Sequence, residues 1–181
     1  MNNAPSGAIV LDLEGVDEGR NVINFAVTAA GIELADPYFQ FPSPIEVDLL
    51  INRSLHTLSV KASVRFALVG ECCRCTGRAE ENVKADSDFL IQHMVATPEE
   101  LEAMEEDEDV VIVDPGKREL DLTGRIREAA VLELPMRLYC RHDCRGLCPQ
   151  CGQNLNGGEC QCVELKLDPR WEALAKLNAQ Q

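Results

Sequence analysis

Nine cysteines, at positions 72, 73, 75, 140, 144, 148, 151, 160 and 162, constrain what this 181-residue chain can fold into more than any other feature. An odd count does not suit a fully paired disulfide scaffold in a monomer, whereas thiol pairs two to four residues apart are the pattern of ligands converging on a cation. Cys148-Pro149-Gln150-Cys151-Gly152 is the most diagnostic piece. Its two thiolates can grip one ion from a tight turn, and Gly152 can take positive φ so that backbone N–H groups point at sulfur. Cys160 and Cys162 supply a second pair from across a short hairpin containing Asn156-Gly157-Gly158, completing the four ligands of a tetrahedral Zn(2+) site. Four thiolates leave no position open for water, so the expected role of Cys148, Cys151, Cys160 and Cys162 is structural. The segment has few apolar side chains of its own, and its fold is expected to depend on the metal.

Cys72, Cys75, Cys140 and Cys144 remain in pair-like spacing and form a possible second site that would join a sheet to the C-terminal ribbon, leaving Cys73 (or Cys72) spare. The alternative for these four is buried, unliganded thiols. A thioredoxin-type dithiol would begin a helix after a strand in a βαβ unit, and ferredoxin-type cysteine runs have other spacings; neither pattern is present. The three histidines, His56, His93 and His142, are scattered, and only His142 could replace a thiolate as ligand. Arg74, Arg78, Arg137, Arg141 and Arg145 flank the thiol pairs. If the second site forms, they would gather into one basic patch, able to contact RNA phosphates or a partner, or to neutralise thiolate charge. Glycine-rich phosphate loops, Gly-x-Ser-x-Gly elbows and His-Glu-x-x-His helices are absent, so no enzyme activity is expected.

Around this framework the periodicity predicts an α+β fold with a mainly antiparallel sheet, able to curl into a barrel, flanking helices and a C-terminal four-cysteine zinc-ribbon-like segment. Apolar and polar residues alternate from Ile45 to Val69, most clearly at Leu58, Val60, Ala62, Val64, Phe66 and Leu68, as in a half-buried strand. Val22 to Thr28, Ala79 to Val95 and Val110 to Val113 read as further strands, with connections too short for helical crossovers. Thr97-Pro98 looks like a helix start. Leu122, Ile126, Ala129, Ala130 and Leu134 recur at helical spacing within Leu120 to Leu134, and Pro135 closes that run. Asp168-Pro169 can start a last helix with Trp171, Leu174 and Leu177 on one face. The expected division is a sheet domain over 1–135, with an acidic insertion near 97–109, and a cysteine-rich segment with its helix over 136–181.

Net charge is −14, and residues 99–109 contain eight acids and no base, so the remainder still carries −6. Extensive nucleic-acid binding needs a surplus of Lys and Arg and is disfavoured; no DNA partner is expected. An acidic surface suits a basic protein partner, because opposite potentials steer encounter. The first twenty residues do not read as a secretory signal, and no apolar run is long enough to span a bilayer. The expected address is the cytoplasm, where thiols stay reduced. The sequence sets no oligomeric state.

"CCRC" after a long strand, "ELDLTGRIREAAVLELP", "CRGLCPQCGQNLN" followed by "CQC", and "DPRWEALAKL" together resemble the YceD family, the large ribosomal RNA subunit accumulation proteins of bacteria and plastids. The resemblance covers about residues 40–178 and is sharpest from Leu120 to Leu177. It implies a role in accumulation of 23S ribosomal RNA and in large-subunit assembly, with no established catalytic activity. It also implies that Cys72, Arg74 and Cys75 match the family's Cys-x-Arg-Cys motif, that Cys140 and Cys144 match the pair before the ribbon, that Cys148, Cys151, Cys160 and Cys162 match the ribbon, and that Glu128 and Pro135 match the helix and its stop. Cys73 lies outside the usual motif and Thr76 stands where Leu is typical. Some relatives lack the cysteines, which implies that metal supports the fold of members like this one without being the shared function. The implied partners are a 23S rRNA precursor, a basic large-subunit ribosomal protein, or both. Two other classes fit the residues alone: a thiol-based redox enzyme, and a zinc-dependent interaction module unrelated to ribosomes.

Overall fold

A computed structural model describes residues 7–94 and 109–162. Its centre is a five-stranded sheet in the order β2-β3-β4-β5-β6, formed by β2 (Gly19–Val27), β3 (Ile45–Ser54), β4 (Thr57–Glu71), β5 (Arg78–His93) and β6 (Val110–Val113). The first four pair antiparallel. Period-2 patterning sets their register: Val47 faces Val64, Ile51 faces Val60, and Val60 in turn faces Phe89, so buried side chains line one face. On the other face the exposed pairs Lys61–Asp88, Lys84–Asp86 and Arg65 with Glu46 and Asp48 meet water. One apolar face and one charged face is the expected form of an antiparallel sheet covered on one side.

The buried face is covered by β1 (Val10–Asp12), a 3-10 turn (Ala30–Ile32), β7 (Glu119–Asp121) and helix α1 (Thr123–Leu132). Ile126 and Ala130 of α1 are fully buried, and the helix packs on β4, β5 and the 3-10 turn. The small residues Ala129 and Ala130 let its axis approach the sheet closely.

Four expectations need correction. Ile45 to Val69 is two strands, since Leu55 turns the chain with a φ of 49° and starts a hairpin. The helix expected from Leu120 begins at Thr123: Leu120 pairs with Leu11 in a β1–β7 ladder, and Leu122 N–H continues it by donating to the Ile9 carbonyl at 2.8 Å. Burial of Leu11 and Leu120 against the core favours this strand over another helical turn. β6 joins β5 in parallel. Finally, the described sheet stays open, with β2 and β6 at its edges, and does not curl into a barrel; among the described residues one α-helix flanks it. The helix starts expected at Thr97 and Asp168 lie outside the described residues, and so does Val95. Among the described residues no helix is long and apolar enough to cross a membrane.

Candidate metal centres

The two longest strands, β4 and β5, are joined by Cys72–Gly77, and this loop presents the first thiols. Cys72 N–H donates to the Gly77 carbonyl at 2.8 Å and Thr76 N–H to the Cys72 carbonyl at 2.9 Å, which folds Cys72 to Thr76 into a tight knuckle. Arg74 N–H then points at Cys72 Sγ, 3.5 Å away. After α1 the chain returns over the end of β4. Leu138 is buried there, and its carbonyl accepts the Cys73 N–H at 2.8 Å. That anchor brings Cys140 and Cys144 opposite the knuckle, with Cys75 Sγ 3.6 Å from Cys140 Sγ and Cys72 Sγ 3.8 Å from Cys144 Sγ.

The second group follows at once. Cys148 N–H donates to the Gln153 carbonyl at 2.8 Å, Gly152 N–H to the Cys148 carbonyl at 2.9 Å, and Gln150 N–H points at Cys148 Sγ, 3.4 Å away. Gly152 has the positive φ, 74°, that this turn needs. A bridge between Leu147 and Asn154 opens the short hairpin that carries the chain round to Cys160 and Cys162.

In each group, Cys72/Cys75/Cys140/Cys144 and Cys148/Cys151/Cys160/Cys162, the four Sγ atoms lie within 4.8 Å of one another. Neither group includes His142. Four sulfurs at about 2.3 Å from a central ion form a tetrahedron with edges of about 3.8 Å; Cys72–Cys144 and Cys75–Cys140 stand at 3.8 and 3.6 Å, whereas a disulfide would need about 2.05 Å. All nine cysteines are free thiols. The donor sets therefore fit a metal ion in tetrahedral thiolate coordination.

Electrostatics point the same way. Burial opposes ionisation of Cys72, yet N–H groups of Cys140, Arg74 and Cys75 outweigh it and draw the thiol down to about 6. Backbone N–H groups of Cys151 and Gln150 do the same for Cys148, also to about 6. Burial and the crowding of neighbouring thiols push Cys140 up to about 12, and a hydrogen bond that the Cys162 thiol donates to Cys151, together with burial, pushes Cys162 up to about 12. A cation at the centre of either group would favour the thiolate form of all four cysteines, including those that resist ionisation without it.

The structure spends the flanking arginines in different ways. Arg74 is the tie of the first centre: its Nη1 donates to the Cys144 carbonyl at 3.0 Å, and its guanidinium lies 4.7 Å from the Tyr139 ring centroid. Arg141 and Arg145 converge on Asn156, through Nη2 at 2.7 Å and backbone N–H at 2.8 Å, and also pair with Asp143 and Glu159. Arg78 pairs with Glu80 at 2.7 Å on β5, and Arg137 is exposed on the segment leading into the site. Three of the five thus gather around Cys144, mostly bound to protein oxygens.

Three residues of the site were not singled out by sequence: Tyr139, Gly146 and Asn156. Gly146 has φ 75°, and a Cβ there would stand 3.0 Å from the Arg74 carbonyl oxygen, so only glycine lets the two segments meet. Asn156 was visible only as a turn residue. Its Nδ2 donates to Cys144 Sγ at 3.2 Å, which is the main reason that thiol is held below its ordinary value.

An open sheet whose hairpin loop and C-terminal ribbon carry two four-thiol centres defines a cysteine-caged, two-centre class of protein. Comparison with known proteins narrows this: the chain belongs to the family described as Large ribosomal RNA subunit accumulation protein YceD, which matches residues 60–178. An uncharacterized protein of Mycobacterium tuberculosis is 34% identical over 135 residues, covering 74% of this chain and 61% of the relative. One from Mycobacterium leprae is 30% identical over 156 residues, covering 82% and 65%. The chloroplastic large ribosomal RNA subunit accumulation protein YCED homolog 1 of Arabidopsis thaliana is 24% identical over 176 residues, covering 84% and 55%. The chain thus spans less than two thirds of the length of these relatives. No solved structure matches it.

Proposed function

We propose that this protein is a non-enzymatic assembly factor that supports 23S rRNA accumulation and processing, and so large-subunit biogenesis, by binding a 23S precursor, a basic large-subunit ribosomal protein, or both, in the cytoplasm. The observation that carries the reading is membership of a family named for accumulation of large-subunit ribosomal RNA, reinforced by plant relatives that bear the same name. In this reading Zn(2+) in the first four-cysteine group cross-links the β4–β5 hairpin to the C-terminal ribbon, and Zn(2+) in the second closes the ribbon on itself. Thiolate donors at tetrahedral spacing suit an ion without redox demands.

A net charge of −14 favours a basic protein over extensive phosphate contact. The arginines that could touch RNA are mostly engaged, leaving Arg137 and the outer edges of Arg78, Arg141 and Arg145 for a limited contact. Beside the first centre runs a groove of about 1340 Å³, bordered by Tyr38, Phe39, Cys73, Leu134 and Met136. Met136 is 99% exposed and Tyr38 78%, an apolar rim of the kind that marks binding surfaces.

Depleting the protein and quantifying 23S rRNA across a sucrose gradient tests the reading. Loss of mature 23S and of free large subunits is expected; normal profiles would favour an interaction module unrelated to ribosomes. The backbone N–H groups aimed at Cys72 Sγ and Cys148 Sγ, which favour their thiolates, would also suit a redox enzyme. Rapid alkylation of either in the native, metal-loaded protein would favour that class.

A further inference from the structure

The two thiol centres are not independent neighbours. Asn156 belongs to the loop between Cys151 and Cys160 of the second centre, yet its Nδ2 donates to Cys144 Sγ of the first, 3.2 Å away. Its Oδ1 accepts from Arg145 N–H at 2.8 Å and Arg141 Nη2 at 2.7 Å, which fixes the amide so that the donor faces sulfur. The same loop is docked by Leu155 N–H on the Gly146 carbonyl at 2.9 Å, and Leu147 N–H reaches the Arg74 carbonyl at 3.1 Å.

We infer that Asn156 is a positioning residue that couples the two centres, so that closing the second delivers a hydrogen-bond donor to a thiolate of the first and the pair takes up and releases metal as one unit. This rests on the metal reading above. Cys151 and Cys160 bound the loop that holds Asn156, so tying Cys148 and Cys151 to Cys160 and Cys162 fixes both its ends. The reverse holds as well: Cys144 seated in the first centre sets Arg145 and Gly146, whose N–H and carbonyl receive the loop. Coupling between two binding events is reciprocal by necessity. Outer hydrogen bonds to metal ligands typically change metal affinity by about 10–100-fold.

The full chain is loaded with cobalt(II) and challenged with a chelator while thiolate-to-cobalt absorption is followed. The wild type is expected to release its ions in one phase. Asn156→Asp keeps an oxygen for Arg141 and Arg145 but cannot donate to sulfur, so it separates a role in holding the loop from a role toward the thiolate. It is expected to shift the charge-transfer band to lower energy and to split release into two phases, one of them faster by about tenfold. Release by this variant in one phase at the wild-type rate, or two independent phases in the wild type, overturns the inference. A wild type that takes up no cobalt overturns the metal reading itself. A second measurement needs no variant: wild type partly stripped of metal is alkylated and weighed. Molecules modified once, at Cys73, or at all nine cysteines are expected, and a major population carrying five adducts overturns the coupling.

Discussion

Thr76, with φ 54°, stands one residue after Cys75 in the backbone conformation that Gly152, with φ 74°, takes one residue after Cys151. In both places the N–H of that residue returns 2.9 Å to the carbonyl of the first cysteine of its pair. The two knuckles are the same device, one closed by a residue suited to left-handed backbone and one by a β-branched residue that is not.

Gly152→Thr should therefore weaken the second centre. No atom lies within 4 Å of where its Cβ would stand, so the penalty is conformational alone, about 1–2 kcal/mol. Thr76→Gly removes the same strain from the first knuckle and should leave it at least as resistant to chelators. Metal-release rates of the two variants check this, and slower release from Gly152→Thr would contradict it.

Gly70→Ala should destabilise the join between sheet and ribbon. The added Cβ would meet the Tyr38 carbonyl oxygen at 2.9 Å, Phe39 Cδ1 at 3.0 Å and Leu138 Cδ2 at 3.1 Å, and Leu138 is the anchor that brings Cys140 and Cys144 into place. Overpacking of this kind costs about 1–3 kcal/mol, readable as a lower denaturant midpoint.

Arg74 and Arg78 should behave differently although both stand beside the first knuckle. Arg74→Ala removes a charged donor from the Cys144 carbonyl and a cation–π contact with Tyr139, a loss of about 2 kcal/mol. Arg74→Lys should restore under half of it, because an ammonium lacks the planar fork. Arg78→Ala breaks an exposed pair with Glu80 and should change stability by under about 0.5 kcal/mol. Thermal or denaturant unfolding of the three variants measures the difference.

Asp121 gives a pH dependence with a definite sign. The Thr123 hydroxyl and then the Thr123 backbone N–H hold its carboxyl below the ordinary 3.8, and Oδ1 accepts that N–H at 2.8 Å where α1 begins. A depressed folded-state pKa means that the stabilisation is complete above the unfolded value and fades as pH falls through the folded one. Asp121→Ala should cost about 1 kcal/mol at neutral pH, the scale of a lost helix-start acceptor. The gap to wild type should close as pH falls below 3.8.

The parts of the fold legible in the sequence are those where one interaction dominates. Leu58 to Leu68 alternate because one face of β4 is buried and the other wet, and all six apolar positions named from that pattern are buried. The cysteine groups were legible because ligand chemistry fixes spacing, and the structure assembles them in the expected sets with Cys73 outside both. The hairpin turn at Leu55 was not legible, since a leucine at positive φ carries no turn signature and is imposed by the pairing of β3 with β4. Nor was the parallel pairing of the four-residue β6, whose short apolar run fits either direction. Asn156 escaped because its role arises from the meeting of two segments, and from the sequence it is one more polar residue in a turn.

In the proposed function, two four-thiolate metal centres build the scaffold on which this protein binds. The most direct measurement is the zinc content of the full chain purified under reducing conditions, taken with its disulfide count by mass. Two zinc ions per chain and no sulfur–sulfur bonds are expected. A zinc-free protein whose cysteines are joined to one another would contradict the account.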